Sequence, residues 1–188
     1  MLFTIRELID LVIMVFAIGY IFSTFVKKRP HEGYDPLTYY GKSSFWEDLK
    51  HGIIVAAPAI VLHELSHKFV AMAFGIEATL HAPITWYIIV IIMRLLNFPF
   101  LFFVGGYVSH AALPPLESFI VSISGPMMNL FLYLMLLGVI RFKLVKRKHY
   151  DLVIMAGRLN LFLFLFNLIP LPGFDGYSAI VNLIKLFF

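Results

Sequence analysis

Stretches of about twenty apolar residues recur along this chain, and the natural solvent of a segment that long and that apolar is the hydrocarbon core of a bilayer. They occupy residues 8–26, 52–74, 84–104, 119–140 and 152–169, with a shorter apolar tail at 177–188. Polar or chain-breaking stretches separate them: 31–50 with Gly33, Pro36 and Gly41, then Gly75, Gly105-Gly106, Pro114-Pro115, and the interval from Pro170 to Gly176. In lipid every backbone polar group must be satisfied within the protein, so such a chain folds as a bundle of helices. Composition agrees. Hydrophobic residues make up 61% and charged residues 14%, where a soluble domain has roughly half and a quarter. The expected fold is an all-α integral membrane protein, a polytopic bundle of about 4–6 transmembrane segments. Its C-terminal helix is broken, and there is room for a small membrane-associated β element between residues 67 and 125.

The 188 residues divide by pattern into an N-terminal transmembrane helix with a polar loop, 1–51, and a core, 52–188. The first run has no basic leader before it and no small-residue cleavage site after it, so it reads as a retained helix. The net charge of +4 comes largely from clusters beside apolar runs, Lys27-Lys28-Arg29 and Arg141, Lys143, Lys146, Arg147, Lys148. Clusters so placed set topology at a membrane surface and do not suggest nucleic-acid binding. Residues 84–104 are rich in β-branched and aromatic side chains and carry Arg94 and Pro99. If this segment crosses, the two basic clusters fall on opposite sides; if it does not, they share one side, as the positive-inside rule prefers. A re-entrant or sheet-like element is the expectation.

With no cysteine in the chain, any metal must be held by His, Asp or Glu. The run 52–74 contains His63-Glu64-Leu65-Ser66-His67. Residues four apart share a helix face, so His63 and His67 can address one ion, while Glu64 lies about 100° round, within reach of a water there. A chance match is the alternative. Yet each ionisable residue in an apolar span costs about 2.5–3.5 kcal/mol to insert, and three together at ligand spacing point to function. Lys68 beside them is expected to snorkel to an interface.

A second feature is Asn167-Leu168-Ile169-Pro170-Leu171-Pro172-Gly173-Phe174-Asp175-Gly176. Its prolines and glycines break a helix within an apolar stretch, and a break there is tolerated where it is buried in protein or lines a cavity. A catalytic zinc takes three protein ligands and keeps a fourth position open. Asp175 with His63 and His67 would complete the set; Glu117, His110 and His81 are other candidates, and an ordinary Asp-Gly turn is the bland reading. A third feature is Ser124-Gly125-Pro126-Met127-Met128-Asn129. Gly125 and Pro126 fit close packing or a kink. Asn129 needs hydrogen-bond partners, from helix packing, from the Asp175 loop or from a substrate backbone.

These three motifs, in this order, resemble those of the site-2 protease family of intramembrane metalloproteases, over residues 52–188. The first motif is shared by many zinc proteases; the third is much more specific. The resemblance implies one zinc ion per chain on His63, His67 and Asp175, and Glu64 as general base. It also implies that Asn129 and Asn167 lie near the active site, Asn167 as a stabiliser of the oxyanion or a substrate contact. It implies a membrane-protein substrate cut within or near a transmembrane helix, in a multi-pass protein of a prokaryotic cell membrane, with no nucleic acid involved. Phe174 stands where the family usually has Leu, which alters packing and not chemistry. The segment 103–108 fits a Gly-rich sheet edge able to pair with an extended substrate. The rival classes are a metal transporter, which would need ligands along a path, and a catalytically inactive relative that only binds membrane helices.

Overall fold

The computed structural model describes residues 2–25, 45–98 and 105–188. Helix α1, Ile5–Phe22, opens with a capping box: Glu7 N donates to Thr4 Oγ1 at 3.2 Å and Thr4 N to Glu7 Oε2 at 2.8 Å. Helix α2, Phe45–Ala73, is 29 residues long and ends where Gly75 takes a positive φ of 80°. It starts within the stretch expected as loop, so residues 45–50 are helical and the expected boundary at 51 falls inside α2. Strand β1, Ala78–His81, follows, then helix α3, Ile84–Leu95, and strand β2, Tyr107–His110. Helix α4, Pro115–Arg141, begins on Pro115, whose missing N–H costs nothing in the first turn. A single 3-10 turn leads into α5, Tyr150–Asn167, and after the break α6 runs Asp175–Ile184.

Three helices, α2, α4 and the one ending at Asn167, are long and apolar enough to cross a membrane. Only 22% of the most apolar window of α4 is buried inside the protein, so the rest of its surface demands an apolar solvent. Phe131, Leu134 and Leu137 are among its exposed side chains. The architecture is that of an all-α membrane protein with a small two-stranded sheet. α1, of 18 residues, carries Arg6, Glu7 and Asp10 in its first turns. α3, with 12 residues, extends about 18 Å, short of the roughly 30 Å of hydrocarbon. The segment expected to be re-entrant or sheet-like is therefore helical over 84–95 and too short there to span, and Pro99 lies outside the described residues. The β element does form, as β1 and β2 in antiparallel register with Ala78 opposite His110 and His81 opposite Tyr107. It begins after Gly105-Gly106, so the expected edge at 103–108 is displaced toward the C-terminus, and its first two residues lie outside the described ones. Lys27-Lys28-Arg29 also lies outside them.

The core joins both parts of the chain. Met14, Ile18 and Ile21 of α1 pack with Ala56, Ala57, Ala59 and Ile60 of α2, and with Leu80, Tyr87, Val90 and Leu163. Small residues let α1 and α2 approach closely, as membrane helices require. A Cβ on Gly52 would collide with the Gly19 carbonyl. Lys68 does not snorkel. It is 1% exposed and forms an ion pair with Glu7, itself 2% exposed. Glu7 also accepts from Leu80 N at 2.8 Å. The physical reason is that Glu7 offers Lys68 a buried counter-charge inside the protein, where α1, α2 and β1 meet.

Candidate metal centre

Two helices bring the candidate ligands together. His63 and His67 lie one turn apart on the inner face of α2, both buried. Their Nε2 atoms are 3.2 Å apart. Asp175, the first residue of α6, brings Oδ2 to 3.0 Å from His63 Nε2 and 3.3 Å from His67 Nε2. Tetrahedral zinc with bonds of about 2.0–2.2 Å places its ligand atoms about 3.3 Å apart or slightly more. The three atoms therefore already stand close to three corners of such a tetrahedron. Among the described residues this is the group of His, Asp and Glu able to hold a metal ion. Burial pushes the Asp175 carboxyl up, but its hydrogen bonds with His63 and His67 outweigh that and hold it below the usual carboxylate range. A metal ligand there must be the deprotonated carboxylate.

The local sequence explains how these groups meet. Gly125 of α4 faces both imidazoles, and a Cβ there would collide with Nε2 of His63 and of His67. The break after α5 turns the chain back at Gly173, whose φ is 96°. Gly176 then lies against the backbone of Leu168, where a Cβ would clash with the carbonyl. Only a residue without a side chain lets α6 start so close to the end of α5, and that closeness is what carries Asp175 to the histidines.

The far side of each imidazole is held as well. His67 Nδ1 donates to Val121 O at 2.7 Å, and Ser66 Oγ donates to Ser124 O at 3.0 Å, tying α2 to α4. His63 Nδ1 meets Asn129 Oδ1 at 2.6 Å. Such outer partners fix the tautomer and ring orientation of metal-binding histidines. Asn129, 0% exposed, is placed on His63 and not on the cavity wall. Asn167 lines the cavity.

That cavity, about 1010 Å³, is lined by His63, Glu64, His67 and Asp175 together with Trp86, Met93, Phe162 and Phe166. Gly105, Gly106, Tyr107 and Val108 form another wall. Glu64 lies against Gly106, whose backbone N–H faces its carboxylate. Tyr87 donates to the Gly105 carbonyl and so braces this wall. Of the other ligand candidates, His81 pairs with Ser109 and Glu117 sits in the first turn of α4. His110 lines the cavity but hydrogen-bonds to Ala111 O. None of them joins the three-atom cluster. Sequence reasoning missed Asn160, Tyr87 and the Val121 carbonyl. The first had a readable signal, an amide in the middle of an apolar run; a backbone carbonyl has none.

Known proteins bear on this arrangement. A Methanocaldococcus jannaschii protein named "Putative zinc metalloprotease MJ0611" is 29% identical over 181 residues, covering 95% of this chain and 85% of that protein. "Zinc metalloprotease MJ0392" of the same organism is 29% identical over 140 residues, 74% of this chain and 35% of that longer protein. "Putative zinc metalloprotease YwhC" of Bacillus subtilis is 32% identical over 157 residues, 70% of this chain and 68% of that one. No protein-family model matches the sequence, and no solved structure matches it. The ligand geometry fits zinc, the Bacillus protein is 32% identical over 68% of its length, and the chain belongs to that family of zinc metalloproteases.

Proposed function

We propose that this metalloprotease acts inside the membrane, as a site-2-type enzyme that hydrolyses a peptide bond within or near a transmembrane helix of another protein. One observation carries the reading. The ligand trio and Glu64 line a cavity walled largely by apolar side chains, and three of the helices that build it are long and apolar enough to span. A soluble substrate would gain nothing from such walls, while a membrane segment matches them.

His63, His67 and Asp175 would hold the zinc. Bound there, it supplies Lewis-acid chemistry, polarising a carbonyl oxygen and lowering the pKa of water toward about 7. Glu64, next to His63 and facing the same cavity, takes the proton from the attacking water and passes it to the leaving amine. A substrate helix shields its carbonyls by hydrogen bonding, so it must unwind locally before it is cut. The unwound strand can pair with β2, which has β1 on one edge and reaches the cavity through Tyr107 and Val108. Asn167, on the same cavity, contacts the substrate backbone. The archaeal and bacterial origin of the relatives supports a prokaryotic cell membrane as the location.

The test uses the full chain in detergent or proteoliposomes, with zinc and a fluorescent single-span membrane substrate. Cleavage inside or beside the span, abolished by a chelator, is expected. Cleavage of soluble peptides alone would sink the intramembrane reading, and zinc flux without cleavage would replace it with transport.

A further inference from the structure

The α5 helix carries one amide that neither the ligand set nor the cavity uses. Asn160 is 3% exposed, and an amide in an apolar membrane helix must find its partners within the protein. Its Nδ2 donates to Ala156 O at 2.8 Å on its own helix. Its Oδ1 accepts from Asn129 Nδ2 at 3.0 Å. Asn129 Nδ2 also donates to Ala59 O at 2.9 Å. Both hydrogens of the Asn129 amide nitrogen are therefore committed. Its Oδ1 must then be the atom that faces His63 Nδ1, and His63 must carry its hydrogen there. That leaves the lone pair on Nε2, the atom beside Asp175 and His67. Without Asn160, only the Ala59 carbonyl opposes a flip of the Asn129 amide. A flipped amide presents a donor to Nδ1 and favours the tautomer protonated on Nε2, which cannot ligate.

We propose that Asn160 is a positioning residue for the metal centre: from α5 it holds the Asn129 amide in one orientation, and so keeps His63 in the tautomer that offers Nε2 to zinc. The inference rests on the zinc metalloprotease reading and adds a coupling to it. The α5–α6 hairpin reaches His63 from both sides, through Asn160 and Asn129 at Nδ1 and through Asp175 at Nε2. Docking of α5 against α4 thereby sets metal affinity.

The test is a double-mutant cycle on zinc affinity, measured by competition with a fluorescent chelator on the metal-stripped full chain in detergent. Asn160→Leu is expected to weaken zinc binding about tenfold, at the lower end of the effect of losing an outer partner. Asn129→Leu weakens it at least as much, and adding Asn160→Leu to Asn129→Leu changes nothing further. If Asn160 acted other than through Asn129, its loss would weaken zinc binding further in the Asn129→Leu background; that result, or wild-type affinity in Asn160→Leu, overturns the inference. Circular-dichroism melting of the metal-free variants checks that each is folded. If Asn160→Leu does not fold, Asn160→Ala removes the same acceptor in a smaller volume and carries the same expectation. A wild-type chain that binds no zinc would overturn the metalloprotease reading itself, a failure distinguishable from tight binding that ignores Asn160.

Discussion

At the scale of single residues, the proposed reaction assigns holding the metal and moving the proton to separate side chains. Glu64 is outside the three-atom ligand cluster yet faces its cavity. Glu64→Gln is therefore expected to retain one zinc per chain while cleavage falls at least 10²-fold, the usual scale for a general base. Metal analysis beside a cleavage assay checks both halves, and an active Glu64→Gln enzyme would refute the role. Asp175→Ala removes one of three ligands and should lose zinc; full occupancy in that variant would return the third-ligand question to Glu117 or a histidine. Gly125 marks how little space the site leaves. A methyl there points at both Nε2 atoms, so Gly125→Ala is expected to lower zinc affinity sharply with little change in helix content, read by chelator competition and circular dichroism.

At the scale of elements, a buried ion pair joins α1, α2 and β1. Lys68 pairs with Glu7, and Glu7 also holds Thr4 N and Leu80 N. Removing one partner of a buried pair leaves the other charge unsolvated and typically costs about 3–5 kcal/mol. Lys68→Met should lose stability on that scale in denaturant unfolding of the detergent-solubilised protein. Lys68→Met combined with Glu7→Gln should recover part of the loss, because a glutamine oxygen still accepts from Leu80 N. Additive losses in the double variant would show that the pair is not the cause. The pattern of apolar runs located the long helices of this scaffold, since insertion into lipid depends on local hydrophobicity. It missed the helical start of α2 at Phe45 and the helical state of 84–95. Both are short or weakly patterned stretches that take their structure from neighbours.

At the scale of the whole molecule, a bound metal would link helices distant in the chain. α2 brings two of the candidate ligands and α6 the third, with α4 packed between. A ligand bound only by the folded state adds stability as RT ln(1 + [L]/Kd), about 2.7 kcal/mol at a hundredfold excess over Kd. Zinc should therefore raise the melting temperature of the wild type and of Glu64→Gln, and a chelator should reverse it. Asp175→Ala should show no such rise. A zinc-insensitive melting point in the wild type would mean that the three residues do not hold the metal together.

The residues alone pointed to an apolar solvent, to His and carboxylate as the ligand types, and to His63 and His67 as candidate ligands. Apolar run length is a local property, and two histidines four apart share a helix face wherever the helix lies. They also marked Asp175 as a candidate, because a carboxylate in a broken apolar helix demands a reason. Only the tertiary structure brought Asp175 Oδ2 to within 3.0 Å of His63 Nε2 and left His81, His110 and Glu117 out of the cluster. Only it sent Lys68 inward to Glu7 and put Asn129 and Asn160 behind His63. Each of these depends on contacts across tens of residues in sequence. Whether a buried polar group becomes a ligand, a brace or an ion pair is decided by which partner the fold sets within hydrogen-bonding distance.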